Sequence, residues 1–328
     1  MKYHPFAMER WQSTYEHRVR FNLSESGVHP LSVTELLSLV DLDPDTLDVR
    51  LGYGQSNGSD DLRKLIADLY TGATEASVLV TTGGAEANFT AFWELMEPGT
   101  SVAVMLPNYM QIPGLLESFG AHIHPFHLVE ENGWQPNLNE LEKGLRDGAR
   151  FILITNPNNP TGAVLDDTSV SGIVELADRH GAWILADEVY RGAELSGPET
   201  PSFWGLHDRV LVTNSLSKAY GLPGLRIGWV VGPAEMMETL WGRTDYTSIT
   251  PASLSDVLAR VALKPVTRLK ILARTREILT NNIALLSSWM DAQKDRFRYR
   301  PPDAGAICYT RYHTSINSAE FAEILRTE

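Results

Sequence analysis

Residues 213–228 read TNSLSKAYGLPGLRIG. They continue from Val210-Leu211-Val212, a short β-branched apolar run that predicts a buried strand, and pass through small hydroxyl residues to Lys218, two glycines and a proline. A lysine set where a strand stops lies at the rim of a sheet, the edge at which open α/β folds place their ligand sites. Lys218 is therefore the first candidate for chemistry. A lone loop lysine is commonly no more than a solvated charge, so its assignment depends on what the neighbouring strand ends supply.

Working outward, apolar runs and helical patterns alternate. Strands are expected over 78–82, 101–106, 122–127, 151–155, 183–186, 210–214 and 227–231, with amphipathic segments between most of them, the clearest at 167–180. Upstream, Leu51 to Gly58 is a glycine-rich loop, and Ser59 is placed to cap a helix carrying Leu62, Leu65, Ile66 and Leu69 on one face. Residues 1–30 show no clear periodicity and read as an arm and a turn. A short helical pattern (Val33, Leu36, Leu37, Val40) follows, with Asp43-Pro44-Asp45 as its stop. Beyond Glu235 the pattern changes to long helical stretches broken near Pro251 and Pro265, then a turn at Pro301 to Ala306, an apolar run Ile307 to Tyr309 and a last helix at 319–325. These observations predict an α/β fold: a large domain with a mostly parallel sheet between helices, and a smaller α+β domain. The expected division is an arm and first helix over 1–45, a large domain over 46–235, and linking helices with part of a small domain over 236–328.

The chain has 328 residues, a net charge of −13 and one cysteine, Cys308. An internal disulfide and a thiolate metal cluster are excluded, and no metal site is expected. The acidic balance argues against nucleic acid and anionic membranes as partners and suits a cationic small molecule. With neither a long apolar span nor a signal-like N-terminus, a cytoplasmic enzyme is expected.

Several strand ends carry residues that fit together. Thr81-Thr82-Gly83-Gly84-Ala85 is a strand end running into a helix start, where free N–H groups and the helix dipole favour a phosphate. Pro107-Asn108-Tyr109 brings an aromatic ring to the same rim; NPNNPTG (156–162) fixes polar amides in a tight turn; Asp187 in DEVY ends a strand where a buried carboxylate needs a protonated partner. Taken singly, each has an ordinary structural explanation: a tight turn, a packed tyrosine, a helix cap. Pyridoxal phosphate uses them together, because it needs an amine, a phosphate cradle, an acid at its ring nitrogen, donors to its phenolic oxygen and a ring to stack on.

SLSKAYGLPGLRIGW, NPNNPTG and DEVY together resemble the fold-type I pyridoxal phosphate enzymes of the class I/II aminotransferase family, from about Leu51 onward. The resemblance implies that Lys218 forms the Schiff base. Arg226, Ser215, Ser217 and the backbone of Gly84 and Ala85 would hold the phosphate, and Tyr109 would stack on the ring. Asp187 would meet the ring nitrogen, and Asn159 and Tyr190 the phenolic oxygen. It also implies a homodimer in which Tyr53, in a Y-x4-G-x3-L-R pattern, reaches the neighbouring subunit's phosphate.

Family membership leaves transamination, racemisation, elimination and cyclisation open, because all begin by removing a Cα proton. The N-terminal arm discriminates. Trp11, Tyr15 and Ser24-x-Ser26-Gly27-Val28-His29 are similar to the opening of the capreomycidine synthase group, cyclases of hydroxylated arginine, to which enduracididine-forming cyclases are related. This similarity implies a free hydroxylated arginine as substrate, with Glu9, Glu25, Gly27 and His29 as candidate contacts and Glu16 adding to the acidic arm; transamination of an amino acid with a 2-oxo acid is the alternative, and a non-catalytic binding domain the second. A retained Lys218 and Asp187 argue against the last. The family's C-terminal arginine, which clamps a substrate carboxylate, has no counterpart up to Glu328: either the sequence is incomplete or the carboxylate is held differently, with Asn159 and the Gly27 backbone contributing and Arg311 off the family position.

Overall fold

The computed structural model describes residues 2–43 and 47–328. Its centre is an eight-stranded sheet made from β1 (Val78–Thr81), β2 (Ser101–Leu106), β3 (His122–Val129), β4 (Gln135–Pro136), β5 (Phe151–Thr155), β6 (Trp183–Asp187), β7 (Val210–Ser215) and β8 (Gly228–Val231), in the order β1-β8-β7-β6-β5-β2-β3-β4. From β3 through β2, β5 and β6 to β7 all neighbours are parallel; β8 and β4 run against theirs. β1 pairs antiparallel with β8, so its C-terminal end lies on the same edge as those of the parallel strands. All seven expected strands are present within a residue or two of the expected bounds, and β4 is an addition too short to show periodicity.

Both faces of the sheet are covered, and the strand sequences show why. Ile152 and Ile154, Ile184 and Ala186, and Val210 and Val212 pack into one core, while the intervening Leu153, Leu185 and Leu211 pack into the other. The second core lies under α4 (Gly84–Leu95), α5 (Gln111–Phe119) and α8 (Ala234–Thr244). The first lies under α3 (Asp60–Ala67), α6 (Leu138–Arg146), α7 (Asp167–His180), α9 (Ser253–Leu263) and the 28-residue α10 (Pro265–Ala292). Ser59 caps α3 by accepting the Leu62 N–H at 3.3 Å, as its position predicts. The expected break near Pro265 separates α9 from α10, with Pro265 as the first residue of α10, where its missing N–H has no intrahelical role.

At the two ends of the chain the reading needs amendment. Residues 7–15 form α1 (Ala7–Tyr15), a helix with no buried residue, and α2 (Val33–Ser38) ends before Asp43; the rest of its expected stop, Pro44-Asp45, lies outside the described residues. The run Ile307 to Tyr309 is not a strand, but leads into β10 (Thr310–Tyr312), which pairs antiparallel with β9 (Phe297–Tyr299) before α11 (Ser318–Thr327). Among the described residues no helix is long and apolar enough to cross a membrane.

Candidate active site

The C-terminal edge of the sheet floors a cavity of about 910 Å³. Thr155, Asp187 and Thr213 are in register on β5, β6 and β7, so three polar side chains meet where the parallel strands end. Asn88, on the second turn of α4, joins them: its amide donates to Asp187 Oδ2 at 3.1 Å and accepts from Thr213 Oγ1 at 2.7 Å. The Val189 N–H holds Asp187 Oδ1 at 3.1 Å. Burial raises the Asp187 carboxyl above the usual range against these two hydrogen bonds, and among the described residues no cation pairs with it. Such a carboxylate is completed by a protonated partner in the cavity.

At one end of the cavity the backbone is crowded to the limit of what glycine permits. Gly83 has φ 85°, and a Cβ there would stand 2.4 Å from Arg226 Nη2; a Cβ on Gly228 would stand 2.4 Å from the Gly83 carbonyl carbon. The start of α4 and the start of β8 therefore touch backbone to backbone, which sets the Arg226 guanidinium against the helix N-terminus. Arg226 itself is left-handed, φ 51°, closing the tight turn over Pro223–Leu225. It donates to the Pro223 carbonyl at 3.0 Å and has no carboxylate partner among the described residues. Ser215 packs against Gly84, and its hydroxyl accepts the Ser217 N–H at 3.2 Å. A guanidinium, a hydroxyl pair and the first N–H groups of a helix around one point are the donor set of a phosphate.

Tyr109 stands across the cavity, its edge against Phe6 with ring centroids 5.6 Å apart. Burial pushes its hydroxyl up to about 12, the carboxylates of Glu9 and Asp187 acting in the same direction and Arg226 opposing them. Tyr190 is buried and donates to the Ser26 carbonyl at 3.3 Å, while the Asn159 amide lines the cavity with no hydrogen bond among the described residues. Lys218 Nζ reaches Glu25 Oε1 at 3.1 Å.

The arm forms the other wall. Met8, Glu9, Trp11, Gln12 and Glu16, on one side of α1 and just past its end, face the cavity, and Ser318, Ala319 and Ala322 of α11 meet them. The two helices are tied by Trp11 Nε1 donating to Glu323 Oε2 at 3.3 Å and by the Arg326 guanidinium 4.3 Å from the Tyr15 ring.

Of the residues singled out in the sequence, Lys218, Gly84, Ala85, Tyr109, Asn159, Asp187, Tyr190, Ser215, Ser217, Arg226, Glu9 and Glu25 share this cavity. Gly27 lies beneath it, its N–H given to Glu25 Oε1 at 2.9 Å. His29 is exposed outside the cavity, with its carbonyl beside Gly221. Tyr53 is 88% exposed and contributes nothing to the cavity of its own chain. Arg311 is already engaged, its Nε 2.6 Å from Glu130 Oε2. Asn88 was not anticipated, although its place four residues after Gly84 turns it back towards the strand ends.

The donor set fits pyridoxal phosphate: among the described residues a guanidinium without a carboxylate partner beside a helix N-terminus, a buried carboxylate with no cation beside it, a stacking ring, an amide without a hydrogen bond, and a lysine. Comparison with known proteins agrees. The model of the aminotransferase class I and II family matches residues 45–328. The chain is 31% identical over 317 residues to capreomycidine synthase of Streptomyces vinaceus, covering 94% of this chain and 80% of that protein. It is also 31% identical over 191 residues to an arginine–pyruvate transaminase of Pseudomonas aeruginosa, covering 56% of this chain and 49% of that one. A crystal structure of a PLP-dependent aminotransferase from Streptococcus suis superposes over 100% of this chain and 88% of its own, with a TM-score of 0.91 and 34% identity. The chain belongs to the pyridoxal-phosphate-dependent aminotransferase class I and II family.

Proposed function

We propose that the protein is a cyclase of a free hydroxylated arginine, removing the β- or γ-hydroxyl as water and closing a ring through a guanidine nitrogen to give a cyclic arginine such as capreomycidine or enduracididine. The observation that carries this reading is the charge of the cavity. Glu9, Glu16, Glu25 and Asp187 line it against Lys218 and Arg226 alone. A cofactor phosphate would answer Arg226, and Glu25 answers Lys218, so Glu9 on α1 and Glu16 just past its end, the latter 3.5 Å from His17 Nε2, are left for a cation on the substrate. A guanidinium is planar and offers paired N–H groups to carboxylates, which suits two acids on one helix side. The similarity to capreomycidine synthase, over 94% of this chain, supports the same substrate class.

When bound, pyridoxal phosphate supplies an electron sink for the pair released at Cα. Arg226, Ser215, Ser217 and the Gly84 and Ala85 N–H groups would hold its phosphate. Asp187, steadied by Asn88, would share the proton on its ring nitrogen. For a β-hydroxyl, Lys218 Nζ takes the Cα proton and gives it up again to the departing hydroxyl, a γ-hydroxyl needing a Cβ proton moved as well, and Tyr190 and Asn159 present their polar atoms beside it. A guanidine nitrogen held by Glu9 and Glu16 then adds to the carbon that lost oxygen, and the nitrogen's proton replaces the one removed from Cα. The sum is loss of one water without oxidation or reduction.

The test uses 3- and 4-hydroxyarginine without any 2-oxo acid. Mass spectrometry should find a product lacking one water with every nitrogen retained, and Lys218→Ala should abolish it together with the absorbance of the lysine-bound cofactor. A product that forms only when a 2-oxo acid is supplied, and that carries an oxo group, identifies an aminotransferase and ends the cyclase reading.

A further inference from the structure

Lys218 has a partner to which the mechanism above gives no role. Its Nζ is 3.1 Å from Glu25 Oε1, and that same oxygen accepts the Gly27 N–H at 2.9 Å. The main chain therefore aims the carboxylate. The loop carrying it is anchored twice more, by Tyr190 Oη donating to the Ser26 carbonyl at 3.3 Å and by the Gln12 amide donating to the Ser24 carbonyl at 3.1 Å. Gly27 is part of the arrangement: a Cβ there would come within 3.2 Å of Glu25 Oε1, tight enough to press on the carboxylate, and would touch Lys218 Cδ at an ordinary 3.8 Å. Burial raises the Glu25 carboxyl, but the Lys218 charge and the hydrogen bonds from Lys218, Gly27 and Ser26 outweigh it and hold the group below the usual range, so Glu25 is an anion at neutral pH.

We propose that Glu25 is a positioning residue for Lys218, drawing Nζ to the arm side of the cavity so that the proton taken from Cα is delivered to the substrate's departing hydroxyl, which favours elimination of water over transamination. The assignment rests on the cyclase reading. A lysine amine on its four-carbon stem has no fixed direction of its own, and a small displacement of a proton donor changes which acceptor it serves. For a hydroxyl on Cβ the exchange balances. The Cα–H bond breaks, its electron pair becomes the new Cα–Cβ bond, and its proton goes to Nζ. The C–O bond breaks with its pair on oxygen, which takes the proton from Nζ and leaves as water. Lys218 ends neutral, as it began, beside an unchanged Glu25.

Glu25→Gln keeps the shape and removes the charge. It should load cofactor as the wild type does, read from the absorbance of the lysine-bound form. With hydroxyarginine and pyruvate together, the ratio of dehydrated to oxo product should fall about tenfold or more, and Glu25→Asp should restore part of it, which a merely structural defect would not produce. Independently of turnover, carbodiimide treatment of the full-length protein freed of cofactor should join residues 25 and 218, giving a linked peptide that Glu25→Gln lacks. An unchanged product ratio in Glu25→Gln, or no linked peptide in the wild type, overturns the assignment and leaves the cyclase reading standing. A wild type that removes water from neither hydroxyarginine overturns both.

Discussion

Asp187 and Glu188 are adjacent, both acidic and both buried, and they serve opposite sides of the sheet. Asp187 faces the cavity, held by Asn88. Glu188 faces away, its Oε1 accepting from the Phe203 N–H and Ser202 Oγ at 2.8 Å each, while its Oε2 finds no partner. For Asp187 the expected outcome of Asp187→Asn is retained cofactor, by absorbance, with kcat down by about 10²–10⁴-fold, because the amide cannot share the ring proton as a carboxylate does. For Glu188 the effect is on stability. Burial pushes its carboxyl up from the ordinary 4.5 to about 7, against the Arg191 charge and its two hydrogen bonds. Between those values the folded protein holds a proton that the unfolded chain has released, so stability declines as pH rises through this window and levels off above 7. Glu188→Gln should remove that slope. Relative to the variant, the wild type should lose on the order of 2–3 kcal/mol between pH 5 and pH 8, measured by urea denaturation.

At the scale of elements, the lysine loop is held from behind by α10. Thr275 Oγ1 donates to the Ala219 carbonyl at 2.8 Å, and Arg268 donates to Tyr220 Oη at 3.0 Å while bridging Glu199. These contacts fall on the residues directly after Lys218, so the helix sets where the amine begins its reach. Thr275 is fully buried, and Thr275→Val preserves its volume but leaves the Ala219 carbonyl without a donor. The expected cost is about 1–3 kcal/mol in unfolding free energy together with a lower kcat, the first read by denaturation and the second by single-turnover kinetics. Nothing in the local sequence announces this support, because Thr275 lies 57 residues from Lys218 and its partner is a main-chain oxygen. The strands that carry the site were legible for the opposite reason: each is a short apolar run ended by turn formers, and both signals are local. The arm shows the limit between the two. α1 has no buried residue, because its inner side faces a cavity instead of a core, and Glu9, Gln12 and Glu16 in place of leucines erase the periodicity that would have marked a helix.

The whole molecule leaves Tyr53 without a site in its own chain. Tyr53 stands 88% exposed on the glycine-rich loop, beside Leu51 at 86%, and the loop is fastened to the segment before α9 by Thr250 Oγ1 donating to the Gln55 carbonyl at 3.3 Å and by Ser253 donating to Gly52. Ile249 before α9 and Leu254 in its first turn are also exposed, so an apolar, aromatic-bearing surface lies on the outside of a chain with a net charge of −13. Surfaces of this kind are covered by another protein surface more often than left to water. A second copy related by a two-fold axis would cover it, and the family resemblance implies that Tyr53 reaches the partner's phosphate. The protein should therefore sediment as a dimer at micromolar concentration. Tyr53→Phe should leave the dimer intact and, by removing one hydroxyl donor to a charged oxygen, weaken cofactor retention by about 1.5–3 kcal/mol, read as faster loss of cofactor absorbance on dialysis. A monomer in sedimentation with full cofactor retention would show instead that each chain completes its own phosphate cradle, with Arg226, Ser215 and the α4 N-terminus sufficient for the task.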